Sequence, residues 1–174
     1  MTREGAHRRT VVIAPLAPAQ AEDVVALAGK VWRAHYPGII PLRQIEYMLA
    51  QRYRPAAIRR DLLREDAWWD VLTEGDVPIA FANYDLTGVR GEMKLDKLYV
   101  DPARQRTGLG GCLLAHVAEA ARRRGCTRLM LAVNKRNGKA IAAYRKHGFA
   151  IEAAVVKAIG KGFVMDDYVM VRNV

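Results

Sequence analysis

An α/β fold is predicted, one mixed sheet with helices on both faces, and three observations predict it. Segments with strand alternation and segments with helical spacing interleave in the order strand, helices, three strands, helix, strand, helix, two strands. Three of the strand-like runs follow one another through short turns, the pattern of an antiparallel meander, and no repeat, low-complexity tract or linker interrupts the order. The chain has 174 residues, enough for one packed core and short for two, so one domain over residues 1–174 with one site is expected.

Residues 1–9 are polar and basic and are expected to be flexible. Residues 10–14, rich in β-branched side chains, read as a strand; Pro15 and Pro18 then punctuate the chain before a helix over 19–34. That helix carries Val24, Val25, Leu27, Ala28, Val31 and Trp32 on one broad face. Behind the loop His35-Tyr36-Pro37-Gly38, residues 42–53 and, after Pro55, 56–65 show helical spacing and are expected to form one wall of a cleft. Residues 68–73, 77–84 and 93–100 are strand-like, joined by Glu74-Gly75-Asp76 and by a loop around Gly88 and Gly91. A helix over 108–124 repeats Leu109, Leu113 and Val117 on one face and stops at Gly125. A strand over 128–133 and a helix over 139–147, introduced by Asn137 and closed by Gly148, precede two last strands over 149–156 and 163–172.

The composition, 51% hydrophobic and 26% charged, is that of a globular protein. Its 28 Lys and Arg against 18 Asp and Glu leave a net charge of +10, which favours an anionic partner: nucleic acid, acidic lipid or a polyphosphate. The basic residues are scattered, and neither stacking aromatics nor zinc-finger spacing accompanies them, so nucleic acid is not the expected partner. No window is long and apolar enough for a membrane span and no apolar stretch follows the basic N-terminus, so no membrane partner and a cytoplasmic location are expected. Cys112 and Cys126 fit a reducing compartment as packing residues, and their spacing suits no metal. Monomer and homodimer stay equally open, and Trp32, Tyr36 and Tyr53, if exposed, suit either a pocket or a dimer interface.

The most informative stretch is Leu95-Asp96-Lys97-Leu98-Tyr99-Val100, followed by Gln105-Arg106-Thr107-Gly108-Leu109-Gly110-Gly111. It reads as strand, glycine-rich turn and helix. The glycines let backbone approach a ligand, and a helix's first turn offers free N–H groups to phosphate oxygens. The loop lacks the Gly-Lys-Ser/Thr ending of a P-loop and the spacing of a dinucleotide fingerprint, which sets aside nucleoside triphosphates and dinucleotides. A tight strand-to-helix connection is the alternative reading of the same glycines. In the strand, Leu98 and Val100 share one face while Leu95 is out of phase, which predicts a β-bulge between 95 and 98. Such a bulge would splay the strand from its neighbour and leave backbone groups free to pair with an extended, amide-bearing ligand. A second constellation, Asn134, Asn137, Ala140, Tyr144, Lys146 and Gly148-Phe149, follows the next strand. Asn137 suits a helix N-cap, and Tyr144 is either a core aromatic or a phenol beside the ligand's path.

Together, Gln105-x-x-Gly108-x-Gly110 and Asn137-x-x-Ala140-x-x-x-Tyr144-x-Lys146-x-Gly148-Phe149 resemble the Gcn5-related N-acetyltransferase (GNAT) superfamily. The resemblance implies a mostly antiparallel sheet splayed into a V, with acetyl-CoA as cosubstrate in the opening and no metal. It makes Leu98 and Val100 the backbone partners of the acetyl and pantetheine groups, and Arg106, Thr107, Gly108, Leu109, Gly110 and Gly111 the pyrophosphate cradle, with Tyr99 and Gln105 also among the cofactor-binding residues. It puts Asn134, Asn137 and Ala140 along the cofactor arm and Tyr144 by the thioester sulfur, as the acid that protonates the departing thiolate. His147 departs from the family, which usually has an apolar residue there. A narrower resemblance to bacterial polyamine N-acetyltransferases, through Trp32, His35-Tyr36-x-Gly38-Ile39-Ile40, Gln44, Tyr47-Met48 and Met165-Asp166-Asp167-Tyr168, implies a small amine acceptor bound by Trp32, Tyr36, Tyr47 and Asp166. Protein N-terminal or lysine acetylation and a non-catalytic acyl-CoA-binding domain are the alternatives.

Acyl transfer needs a neutral amine, yet an alkylamine of pKa about 10.4 is about 99.9% protonated at pH 7. Asp96 and Glu92 are the first candidates to take that proton, Asp85 and Glu46 the next, and no spacing singles one out. A local acidic pocket from Asp96, Asp166 or Asp167 would suit a cationic acceptor. Neither cysteine is placed to carry an acyl group, so direct attack by the amine is expected.

Overall fold

A computed structural model describes residues 11–174. The first strand is β1 (Val11–Pro15); the start of its predicted span at Thr10, and the expectation for residues 1–9, lie outside the described residues. A 3-10 turn (Pro18–Gln20) precedes α1 (Ala21–His35), so the proline that was expected to end the loop also tightens the first turn. Next come α2 (Leu42–Arg52) and α3 (Pro55–Asp61). The third helix ends short of the predicted residue 65, because the Leu63 and Arg64 amides bond three residues back, to Arg60 and Asp61. The meander follows as β2 (Ala67–Glu74), β3 (Val77–Leu86) and β4 (Glu92–Val100). The remaining elements are α4 (Leu109–Arg123), β5 (Arg128–Asn134), α5 (Gly138–Lys146), β6 (Ala150–Gly160) and β7 (Phe163–Asn173).

The seven strands form one sheet in the order β1-β2-β3-β4-β5-β7-β6. Every pairing is antiparallel except that of β4 with β5. Two apolar cores result. On one face Val24, Ala28, Trp32, Ile45 and Ile58 of α1–α3 meet Trp69, Val71 and Phe81. On the other, Leu113, Leu114, Val117 and Ala121 of α4 and Ile141 of α5 meet Leu72, Ala82, Met93, Leu95, Leu129 and Leu131. Helices therefore cover both faces, as the alternating pattern predicted.

The predicted bulge lies at Asp96. Asn83 of β3 stands opposite Lys97 and Tyr84 opposite Leu95, which leaves Asp96 with no residue across from it. The extra residue resets the phase: Met93 and Leu95 before it and Leu98 and Val100 after it all pack on the α4 side, while Tyr99 joins the α1–α3 side. The bulge also ends the parallel pairing, since Glu92 through Leu95 pair with Arg128 through Leu131 and go no further. Beyond that point β4 and β5 separate, and the gap is the V on which the site is built.

Candidate active site

The gap between β4 and β5 opens into a cleft of about 1000 Å³, at the upper end of the range for ligand pockets. Leu98 and Val100 line it from the free edge of β4. The loop after β4 begins with a 3-10 turn (Pro102–Arg104), capped by Asp101, whose Oδ1 accepts from the Ala103 amide at 2.8 Å. Gln105 reaches back to donate to the Val100 carbonyl at 3.4 Å, and Thr107 Oγ1 donates to the Arg104 carbonyl. Two residues turn the chain through left-handed backbone, Arg106 at φ 61° and Gly108 at φ 87°. The conformation delivers the start of α4 to the cleft, where Gly110 and Gly111 expose first-turn amides that have no carbonyl partner within the helix. Gln105, Arg106 and Leu109 line the cleft, whereas Thr107 and Gly108 are exposed and do not line it. A side chain at Gly111 would meet the His147 ring at 3.0 Å, so the one family-atypical residue packs against the glycine loop and lines the same cleft.

Opposite the loop, Asn137 caps α5, its Oδ1 accepting from the Ala140 amide at 3.4 Å. The same oxygen lies 3.0 Å from His35 Nε2, which ties the end of α1 to the start of α5. Asn134, Asn137, Ala140 and Tyr144 all line the cleft. Burial raises the Tyr144 phenol well above its ordinary value, with the nearby Tyr36 phenol adding to the effect, so the proton stays on the oxygen at neutral pH. Tyr99 points to the other face of β4, where its hydroxyl meets that of Tyr36 at 3.3 Å. These features fit the pantetheine and pyrophosphate of coenzyme A: an unpaired strand edge, free amides at a helix start, and Arg104, Arg106 and Lys139 in the lining.

The acidic residues separate sharply. Glu92 sits at the closed end of β4, bonded to Arg128 at 2.6 Å and to Thr87 at 2.8 Å, and does not line the cleft. It is out of reach as a base because the strand pairing that the bulge ends farther on is intact beside it. Glu46 pairs with Arg33 at 2.7 Å and Asp85 stands 4.0 Å from Arg64; neither lines the cleft. Asp96 does line it, with Lys97 at 2.5 Å, Arg52 at 2.7 Å and Lys94 at 2.9 Å. Burial alone would raise its carboxyl, but the charges of Lys97, Arg52 and Lys94 outweigh burial and hold it far below the usual range, which makes it a poor proton acceptor.

Asp166, expected to bind the acceptor, is exposed, paired with Lys135 and outside the cleft lining. Its neighbour Asp167 takes the inward place, since successive strand residues face opposite ways. Trp32 is buried and Tyr36 packs against it with the rings tilted by 33° and their centroids 4.4 Å apart, both contributing to the cleft wall. Tyr53 is also buried, so of the three aromatic residues considered for an exposed patch only Tyr36 is part-exposed. Tyr47 lines the cleft and donates to the Ile159 carbonyl at 2.7 Å, fastening α2 to the β6–β7 hairpin. Both cysteines are free; Cys126 is buried, but Cys112 is exposed on α4, so the packing role expected of both holds for one.

The family model described as the Acetyltransferase (GNAT) family matches residues 35–149. The chain belongs to the GNAT acetyltransferases. This GNAT chain is 24% identical over 163 residues to spermidine N(1)-acetyltransferase of Thermoplasma acidophilum, covering 90% of the chain and 96% of the relative. The [ribosomal protein bS18]-alanine N-acetyltransferase of Escherichia coli K12 is 40% identical over 78 residues, 45% of this chain and 51% of that protein. Among solved structures, the PaiA N-acetyltransferase of Thermoplasma acidophilum in complex with coenzyme A superposes with a TM-score of 0.82, at 20% identity over 95% of this chain and 99% of that one. The GNAT chain is thus an acyltransferase with the expected α/β fold. Among the described residues no helix is long and apolar enough to cross a membrane, and no three His, Cys, Asp or Glu side chains gather as metal ligands.

In the sequence of this GNAT chain Arg52 went unread, and Asp167 was named only beside Asp96 and Asp166 as a member of an acidic pocket. Arg52 lies on a helix far upstream of Asp96, and no local spacing connects them. Asp167 carried the one available signal, strand alternation with Met165, which also lines the cleft.

Proposed function

We propose that this acetyltransferase moves the acetyl group of acetyl-CoA directly to a primary amine of a small acceptor, both bound in the V between β4 and β5. The observation that carries the reading is the convergence on one cleft of a free strand edge, an amide-rich helix start and a part-buried phenol held in its protonated form. Leu98 and Val100 hold the acetyl and pantetheine portion by backbone pairing, and residues 106–111 hold the pyrophosphate. Asn137 and Ala140 bound the cofactor arm. Tyr144 donates a proton to the departing sulfur. A thiol of pKa about 8.5 leaves tolerably unaided, so positioning and amine deprotonation contribute more than this acid.

The acceptor enters from the α2 side, past Tyr36, Tyr47 and Arg52. The full-length likeness to a spermidine acetyltransferase supports a polyamine. The lining adds Arg52, Lys94 and Lys157 to Asp96 and Asp167, a balance that favours an acceptor presenting one amine over an extended polycation. Thiol release from acetyl-CoA, measured across polyamines, amino acids, aminoglycosides and an N-terminal peptide, tests the reading with wild type and Tyr144→Phe side by side. Turnover confined to one amine class is expected, with kcat about tenfold to a thousandfold lower in the variant and acetyl-CoA affinity unchanged. Equal kcat in the two proteins would remove Tyr144 from the chemistry.

A further inference from the structure

We propose that Asp167 is the general base of the transfer, taking the proton of the acceptor's ammonium group; the proposal rests on the acetyltransferase reading above. Asp167 lies on β7 opposite Asn134, the last residue of β5, and so at the open end of the V. It is 8% exposed, it lines the cleft, and its Oδ1 is buried with no hydrogen-bond partner among the described residues. An unpartnered buried carboxylate oxygen is costly, and in a cleft that must receive an ammonium group it has an evident partner.

The surroundings favour the role. Beside Asp167 on β7, Asp166 is occupied by Lys135; Arg52 of α2 and Lys94 of β4 are both engaged by Asp96; Tyr36, just past the end of α1, and Lys157 of β6 line the same cleft. Burial first, and then the charge of Asp166, raise its carboxyl above the ordinary value against the opposing pull of Arg52, Lys135 and Lys94. Its affinity for a proton therefore moves toward that of a useful base, opposite to Asp96 on the facing wall.

The ammonium gives one proton to an Asp167 oxygen. The freed nitrogen lone pair bonds to the thioester carbon, the carbon–sulfur bond breaks, and its electron pair leaves on sulfur, which takes the proton of Tyr144. The nitrogen's second proton restores Tyr144 through solvent, and Asp167 releases its own to bulk water, so one proton is liberated per amide formed.

The test is the pH dependence of turnover for wild type and Asp167→Asn, an isosteric change that keeps the buried shape. At pH 7 the variant should lose about a hundredfold to ten-thousandfold in kcat/KM for the amine, with acetyl-CoA binding unchanged. The deficit should close as the pH approaches about 10, where the acceptor loses its proton unaided. A loss equal at every pH would mark a structural role, and an unaltered profile would exclude Asp167; either overturns the proposal. Should the variant fold poorly, the wild-type profile decides: kcat at saturating amine must fall on the acid side with one group of pKa above about 3.9, and a flat profile overturns the assignment. Absence of wild-type turnover with every amine would instead sink the acetyltransferase reading itself.

Discussion

Replacing Asp96 with alanine is expected to lower the unfolding free energy by about 3 kcal/mol at pH 7, because it strands a buried cation. The Lys97 side chain is 8% exposed; its ammonium bonds Asp96 at 2.5 Å and Asn83 at 2.9 Å and lies 5.0 Å from the Trp69 ring centre. Without the carboxylate, three cations, Lys97, Arg52 and Lys94, crowd the bulge with nothing between them. Adding Lys97→Met should recover most of the loss, since an apolar replacement of a buried pair is commonly neutral or better. Urea unfolding of the two variants checks both statements. The charge of Asp96 is favoured in the folded state, so its contribution is complete above its unfolded value of about 3.9 and is lost as pH falls through the depressed folded value. The gap between wild type and Asp96→Ala should stay level between about pH 5 and pH 7 and narrow below about pH 4. An unchanged midpoint for Asp96→Ala would mean that Lys97 finds water or another partner.

The second large effect lies on the other side of the sheet. Asp70 is buried on β2, and its Oδ2 accepts from the Tyr84 hydroxyl at 2.6 Å and faces His116 Nε2 of α4 at 2.7 Å. Asp70→Ala leaves the buried phenol of Tyr84 without its acceptor and should cost about 2 to 3 kcal/mol. Tyr84→Phe should cost less in the Asp70→Ala background than in wild type, with an interaction energy of about 1 kcal/mol or more. None of the three residues lines the cleft, so turnover per folded molecule should hold. Strict additivity of the two changes would show that the pair contributes nothing jointly.

These two clusters also show where sequence reading stops. The phase slip between Leu95 and Leu98 was visible because a strand with a period of two tolerates no such slip without an extra residue, and the bulge duly falls on Asp96. The glycine loop, the Asn137 cap and the order of elements are local or nearly so, and they too were legible. Lys97 was not: in the strand pattern it reads as an exposed lysine, and only the reset phase turns it toward Trp69 and Tyr53. The choice among carboxylates was likewise hidden, because it depends on which end of β4 separates from β5. Glu92 and Asp96 share one strand, but Leu95, Lys94 and Met93 are paired with β5 before Glu92, itself paired, is reached. Choosing between Asp166 and Asp167 needs the register of β7 against β5, a long-range fact that composition does not hold.

The cleft's capacity for direct amine acetylation is tested most directly by mixing the wild-type protein with acetyl-CoA, with and without acceptor, and following chain mass, free thiol and acetylated amine together. Acetylated amine and thiol should appear in equal amounts only when the acceptor is present, with no acetyl group on the chain, Cys112 included. Tight acetyl-CoA binding without thiol release from any amine, or an acetylated chain that forms before the amine is added, would contradict it.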